Sequence, residues 1–316
     1  MLDAHDVGRR VSVRRQVDGG LSDVVGHLLA LSDRSLSVLR RDGEMVDVDP
    51  SAVTAAKVVP AAPVRSGWEV PHLTPADMQR MCWAGWPARE SEMLGDWALR
   101  AHGGITGRAN SAMAVGDPGR PVADALAAVA DWYAARHLSP LLQLPLTDPA
   151  NETLPALGWA RQHVTLVQGA PIAPLLTAAP DPTMTPTVEP TPSARWLSVM
   201  HDLDADVDSH VAILTGPPIV GFATLSLGSD PVAIGRVSVE GQWCGITSVD
   251  VVPTMRRRGL GSEVMAVLLR WAQERGATSS YLQVRAANAP ALRLYAGLGY
   301  ATHHPYGYWG LADSEG

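Results

Sequence analysis

Two cysteines, Cys82 and Cys244, are all that the 316 residues contain. Thiols so far apart in sequence exclude a disulfide framework and offer no metal-ligand spacing, so both are expected to be buried and inert, with no metal bound. Phenylalanine occurs once, and lysine once at Lys57; every other basic side chain apart from histidine is arginine. That bias, beside so much alanine, points to a GC-rich genome rather than to function. The 25 Lys and Arg against 32 Asp and Glu give a net charge of −7. This argues against broad binding to nucleic acid, although it leaves room for a local basic patch. Long apolar runs are also missing, and none approaches the roughly 20 residues that span a bilayer, so no membrane role is expected. Met1-Leu2-Asp3-Ala4-His5-Asp6 lacks the basic stretch and apolar core of a secretory signal, and the expected location is cytoplasmic.

At this length the chain is expected to divide into two or three domains, because single hydrophobic cores stop growing well before it. Residues 1–62 show short alternating segments, Arg10 to Val17, Asp23 to Leu31, Ser35 to Arg40 and Met45 to Asp49. Asp18-Gly19-Gly20 and Asp42-Gly43 supply turns between them. The rhythm resembles an SH3-like or Tudor-like β-barrel, a module that docks a partner or packs on its neighbour. Pro171 to Pro192 is rich in Pro, Thr and Ala and predicts an extended linker, placed at 171–186.

The linker separates two stretches, 63–170 and 187–316, that share a layout. In the second, a strand at Tyr281 to Val284 leads through Asn288 into a helix closing at Leu298-Gly299-Tyr300. In the first, Leu141 to Leu144 leads through Asn151 to Leu157-Gly158-Trp159. Each is preceded by an amphipathic helix, at Val122 to Arg136 and Ser262 to Arg275. Alignment on the Leu-Gly-aromatic corner puts Leu154 where the second copy has Tyr295, and Gly116-Asp117-Pro118-Gly119-Arg120-Pro121 where it has an arginine-glycine loop. Prolines 118 and 121 cannot donate backbone hydrogen bonds to a phosphate, so the first copy is expected to be a degenerate scaffold.

In the second copy, Ile246 to Val252 predicts a buried strand ending at Pro253, and Leu260, Val264, Leu268 and Trp271 form the stripe of a helix closing at Arg275-Gly276. Between them lies Arg256-Arg257-Arg258-Gly259-Leu260-Gly261. Its glycines allow close backbone approach, and the first-turn amides of the following helix are suited to phosphate. A Walker loop is excluded because Ser262-Glu263 follows Gly261, and a Rossmann fingerprint because Val264 stands at the third glycine. What fits is Arg-x-x-Gly-x-Gly after Val251-Val252-Pro253, with Asn288 to Tyr300 downstream. The two motifs together resemble the GCN5-related N-acetyltransferase family over about Thr187 to Trp309. The whole layout resembles actinobacterial tandem acetyltransferases of the N-acetylglutamate synthase or histone type.

The resemblance implies an α/β tandem fold, first copy degenerate and second active, that moves acetyl from acetyl-CoA to a primary amine. The acceptor would be an amino acid such as glutamate or a protein lysine; the alternative is a noncatalytic CoA-binding regulator. It implies cofactor contacts from Val251, Val252, Arg256, Arg257, Arg258, Gly259, Leu260, Gly261, Ser262, Asn288 and Tyr295, with a backbone amide in Val249 to Val252 polarising the thioester carbonyl. Tyr295 matches the family's general acid; a phenol of pKa about 10 can protonate a thiolate whose conjugate acid is near 8.5. Asn288 either touches the cofactor arm or caps its helix. Gly245, Thr247 and Ser248 hold no useful base where the family often has one, so Glu240 acting through water is the candidate. Asp250 ranks below it, on the opposite strand face, and loss of the proton to water needs no base at all. His303-His304 read as surface imidazoles or a pocket lining, and Arg108-Ala109-Asn110-Ser111 as a segment facing the acceptor across the junction.

Overall fold

A computed structural model describes residues 2–60 and 73–312. The expected boundary at 62/63, Met1 and the last four residues lie outside the described residues.

Alternating valines and leucines build the N-terminal unit. Strands β1 (Arg10–Val17), β2 (Gly20–Leu31), β3 (Leu36–Arg40), β4 (Met45–Val48) and β5 (Val53–Val58) pair in the order β4-β3-β2-β1-β5. Val11, Val13, Val24, Leu28, Val38 and Val48 point inward from successive even steps and close a small core. Gly26 is required where β2 crosses β3, since a Cβ there would lie 2.1 Å from the Leu39 carbonyl oxygen. β5 adds a fifth strand to the four expected, because Val53-Thr54-Ala55-Ala56-Lys57-Val58 carries little apolar alternation to mark it. Leu29 and Leu39 face outward into the main core.

The remainder forms one mixed sheet flanked by helices. The first half supplies α1 (Pro75–Ala84), β6 (Glu90–Leu94), β7 (Trp97–Ala101), β8 (Ala112–Met113), α2 (Val122–Ala134), β9 (Leu141–Pro145) and β10 (Trp159–Pro171). The second supplies α3 (Ile172–Ala178), β11 (Pro186–Glu189), α4 (Ala194–Val199), α5 (Val207–Thr215), β12 (Val220–Leu227), β13 (Asp230–Glu240) and β14 (Trp243–Val251). It continues with α6 (Leu260–Gln273), β15 (Ser279–Arg285), α7 (Ala289–Leu298) and β16 (Ala301–Leu311). The order is β11-β12-β13-β14-β15-β10-β16-β9-β8-β7-β6. The two halves thus exchange their last strands: β10 lies beside β15, and β16 lies beside β9. The expected division at 170/171 falls before the last residue of β10, and the sheet runs through it.

One local expectation changes. Proline does not keep 171–186 extended: Ile172 and Leu175 form a buried apolar pair on α3, and Pro174 sits in the first helical turn, where its missing N–H has no helical partner to lose. Thr183 then donates to the buried Glu263 carboxylate through its amide (2.9 Å) and hydroxyl (3.1 Å), tying the segment to α6. In the first half, the position of α7 holds only short turns at Pro149–Glu152 and Pro155–Leu157. Among the described residues no helix is long and apolar enough to cross a membrane.

Candidate active site

β14 and β15 are parallel, and their pairing runs only from Trp243 opposite Ser279 to Ile246 opposite Leu282. Beyond that point β15 stays with β10, and β14 stays with β13. The sheet opens there into a wedge whose β14 edge is free for an extended ligand arm. A β-bulge accompanies the opening. Arg236 faces Thr247 and Ile234 faces Asp250, so Gly235 opposes both Ser248 and Val249, and Ser248 takes a left-handed φ of 52°. Val249 and Val251 pack with Ile246 on the α6 side of the sheet. The extra residue therefore brings Thr247 and Asp250 together on the opposite face, an outcome that simple alternation forbids.

The glycine loop stands at the open end of the wedge. Gly259 is the N-cap of α6, at φ 85°, and no side chain caps the helix. Ser262 and Glu263 turn their amides back to the Gly259 carbonyl, while the amides of Leu260 and Gly261 precede any helical acceptor. No atom lies within 4 Å of where a Gly259 Cβ would project, whereas a Cβ on Gly261 would lie 3.1 Å from Leu294 of α7. Gly259 meets a conformational need and Gly261 a packing one. Arg256 folds its Nε onto the Val251 carbonyl at 3.0 Å, and the Arg256, Arg257 and Arg258 side chains are exposed at the loop. Val252 donates its amide to Val232, which holds the loop's entry. An anion seated on these first-turn amides would also meet the positive helix end and the arginines.

Asn288 accepts from the Ala291 amide at 3.2 Å and so caps α7. Tyr295, one turn before the helix end, is half-buried and stacks edge-on to Tyr300 at 5.9 Å. Burial pushes its phenol up to about 12, and the negative Asp250 adds to the shift. Asp250 accepts from the His201 amide at 3.3 Å, and burial raises its carboxyl above the usual range. Tyr295 packs on the main core from α7 and feels the charge of Asp250, which β14 carries on its other face.

Glu240 does not join them. It is exposed at the β13–β14 hairpin, opposite Trp243, and the seven residues from there to Asp250 span roughly 23 Å at about 3.3 Å each. The bulge turns Asp250 onto the face of Thr247, while Glu240 stays at the hairpin. His304 is buried rather than superficial, in a chain from His303 through His304 and Gln79 to Gln143. Burial holds its imidazole down at about 3. Cys82 and Cys244 are buried and their thiols are pushed up to about 12, which makes them poor nucleophiles at neutral pH. The N-terminal unit meets the site through Gly43: a Cβ there would lie 2.9 Å from Leu292 Cβ on α7, the helix that carries Tyr295.

Comparison with known proteins agrees with this architecture. Residues 77–309 match the family model described as probable histone acetyltransferase Rv0428c C-terminal. Residues 5–57 match that of the Rv0428c N-terminal Sm-like domain. The probable histone acetyltransferase Rv0428c of Mycobacterium tuberculosis is 28% identical over 96% of this chain and 95% of its own length. A GCN5-related N-acetyltransferase from Kribbella flavida shares the fold with a TM-score of 0.59, at 20% identity, over 74% of this chain and 94% of that one. A tandem GNAT protein from the clavulanic acid biosynthesis pathway has a TM-score of 0.50, at 15% identity, over 63% of this chain and 74% of that one.

Proposed function

The chain belongs to the Rv0428c family of GCN5-related N-acetyltransferases, and from that premise we propose that it transfers acetyl from acetyl-CoA to a primary amine at the β14–β15 wedge. The observation that carries this reading is the coincidence, in one part of the fold, of a strand edge freed by divergence, a helix N-terminus preceded by Gly259, and the half-buried Tyr295. The loop Arg256 to Gly261 with Ser262 holds the pyrophosphate. The cofactor arm lies along Val249 to Val252, where a freed backbone amide polarises the thioester carbonyl. Asn288, as cap of α7, fixes the far wall.

The neutral amine nitrogen attacks the carbonyl carbon, the C–N bond forms and the C–S bond breaks. The electron pair of the latter leaves on sulfur. One proton departs from the nitrogen to Asp250, directly or through water, since a half-buried carboxyl of raised pKa is a better base than a fully solvated one. Tyr295 faces the departing thiolate as hydrogen-bond donor, and solvent supplies the proton that completes the thiol. Neither Leu154 nor the Pro118–Pro121 segment offers this chemistry, which supports one active site in 187–316, with 63–170 as degenerate partner and 1–62 as a module bracing α7.

The test is release of free thiol from acetyl-CoA with a panel of amines. Thiol release that depends on both amine and enzyme is expected. Tight CoA binding with no release for any amine would overturn the reading and leave a CoA-binding regulator.

A further inference from the structure

On the wedge face opposite α6, Arg236 projects from β13 and is fully buried. It donates to Leu214 O at 2.7 Å, Thr247 Oγ1 at 3.1 Å and Gly85 O at 3.1 Å, using three of its five N–H groups. Its guanidinium carbon is 5.2 Å from the centre of the Trp86 ring, and that of Arg108 is 5.0 Å from the same centre. Arg108 is half-buried and makes no hydrogen bond among the described residues. Arg100, also buried, bonds Ser111 O, Ser111 Oγ and Gln143 Oε1. Arg108 lies close enough to oppose the charge of both other arginines. Among the described residues none of the three forms an ion pair.

Buried cations without counter-charges are costly, and proteins normally pair them. Here the surroundings are the phenols of Tyr281 and Tyr306, Trp86 and neutral amides. Gln283, on the Tyr281 face of β15, adds a buried Nε2 beside the Cys82 thiol. The loop bearing Arg108 is built to present it: Thr106 holds a left-handed φ of 57°, and its hydroxyl accepts from Trp86 Nε1 at 3.1 Å. The buried Asn110 clamps the loop with bonds to the amides of His102 and Gly104 and to the carbonyls of Ile105 and Thr106. The charge outside has the opposite sign. Asp202, Asp204, Asp206 and Asp208 lie on the exposed segment next to His201, which is tied to Asp250.

We propose that Trp86, Arg108 and Arg236 form a carboxylate subsite, and that the acceptor is a small amino carboxylate whose amine points to Asp250. The subsite rests on the acetyl-transfer reading only for the acceptor role. Arg236 and Asp250 stand on neighbouring rungs of the β13–β14 ladder, about 7 Å apart along the strand. Both residues stand on one face of the ladder, so a small amino acid with its amine at Asp250 would offer its carboxylate to Arg108, with the buried charge of Arg236 behind it. The aspartates draw the ammonium inward, and the arginines take the carboxylate. A lysine on a basic peptide tail would instead bring further cations to unpaired arginines.

The experiment uses the full chain with CoA bound and measures binding by calorimetry and Trp fluorescence. The probes are glutamate, aspartate, neutral amino acids, their carboxamides, the corresponding decarboxylated amines and a basic lysine peptide. At least one amino carboxylate should bind while its amide and decarboxylated analogue do not. Arg108→Ala should weaken that binding and raise the acceptor KM roughly tenfold or more, with the acetyl-CoA KM unchanged and partial recovery in Arg108→Lys. Arg236 is unsuited to this test because three structural bonds depend on it. Binding of no amino carboxylate, equal use of amide or peptide, or an unaffected Arg108→Ala would overturn the subsite. Arg108-dependent binding without thiol release would keep the subsite and overturn the acetyl-transfer reading.

Discussion

Replacing Tyr295 with Phe removes one oxygen from a half-buried ring that keeps its edge-on contact with Tyr300, so the fold should persist. The phenol sits at about 12. A thiol near 8.5 lies about 3.5 units lower, which makes complete proton transfer from Tyr295 to a free thiolate uphill by about 5 kcal/mol. Donation of a hydrogen bond to the developing thiolate has no such penalty, and bonds to charged groups contribute about 1.5–3 kcal/mol. Tyr295→Phe should therefore lower kcat roughly 10- to 150-fold. The acetyl-CoA KM should change little, because the interaction strengthens only as the C–S bond breaks. The assay is thiol release at saturating amine from pH 6 to pH 10. Because the phenol stays protonated across that range, wild type and variant should share the same alkaline limb. A kcat within twofold of wild type would refute the assignment of Tyr295. An alkaline limb near 10 that vanishes in the variant would refute the buried-donor argument and restore an ordinary solvated acid.

Asp250→Asn should cost roughly 100-fold or more in kcat if the carboxylate takes the amine proton, with wild-type activity falling as pH drops through its raised pKa. A loss of only a few-fold would assign the proton to solvent. Gly259→Val puts a β-branched residue at φ 85°, a strain on the order of 1–3 kcal/mol, and should weaken CoA binding by at least about tenfold in calorimetry; unchanged affinity would mean that the loop is not the pyrophosphate site. His304 binds its proton near 3 in the folded state and near 6.5 unfolded. Its contribution is thus fully present above about pH 6.5 and shrinks as pH falls, by about 2 kcal/mol at pH 5. Urea unfolding of His304→Gln at pH 7.5 and pH 5 should show that much less acid loss than wild type, and identical losses would refute it.

Much of this protein follows from local sequence. The Gly259 turn, the Asn288 cap and the Leu298-Gly299-Tyr300 helix end are backbone requirements that residue type announces at the position itself, because left-handed φ values and first-turn amides are satisfied by neighbours a few residues away. The strands of the N-terminal unit were legible from local alternation, up to the weakly patterned β5. What only the tertiary structure decided depends on partners distant in the chain. The bulge at Ser248 exists because β13 and β14 must stay paired while β14 leaves β15, and nothing in Gly245-Ile246-Thr247-Ser248 marks it. That single extra residue turns Asp250 onto the face of Thr247. The exchange of β10 and β16 between the halves, and the meeting of Arg108 with Arg236 on Trp86, join residues more than a hundred positions apart. Local sequence fixes local dihedral needs, whereas which buried charges face one another is set by long-range strand order.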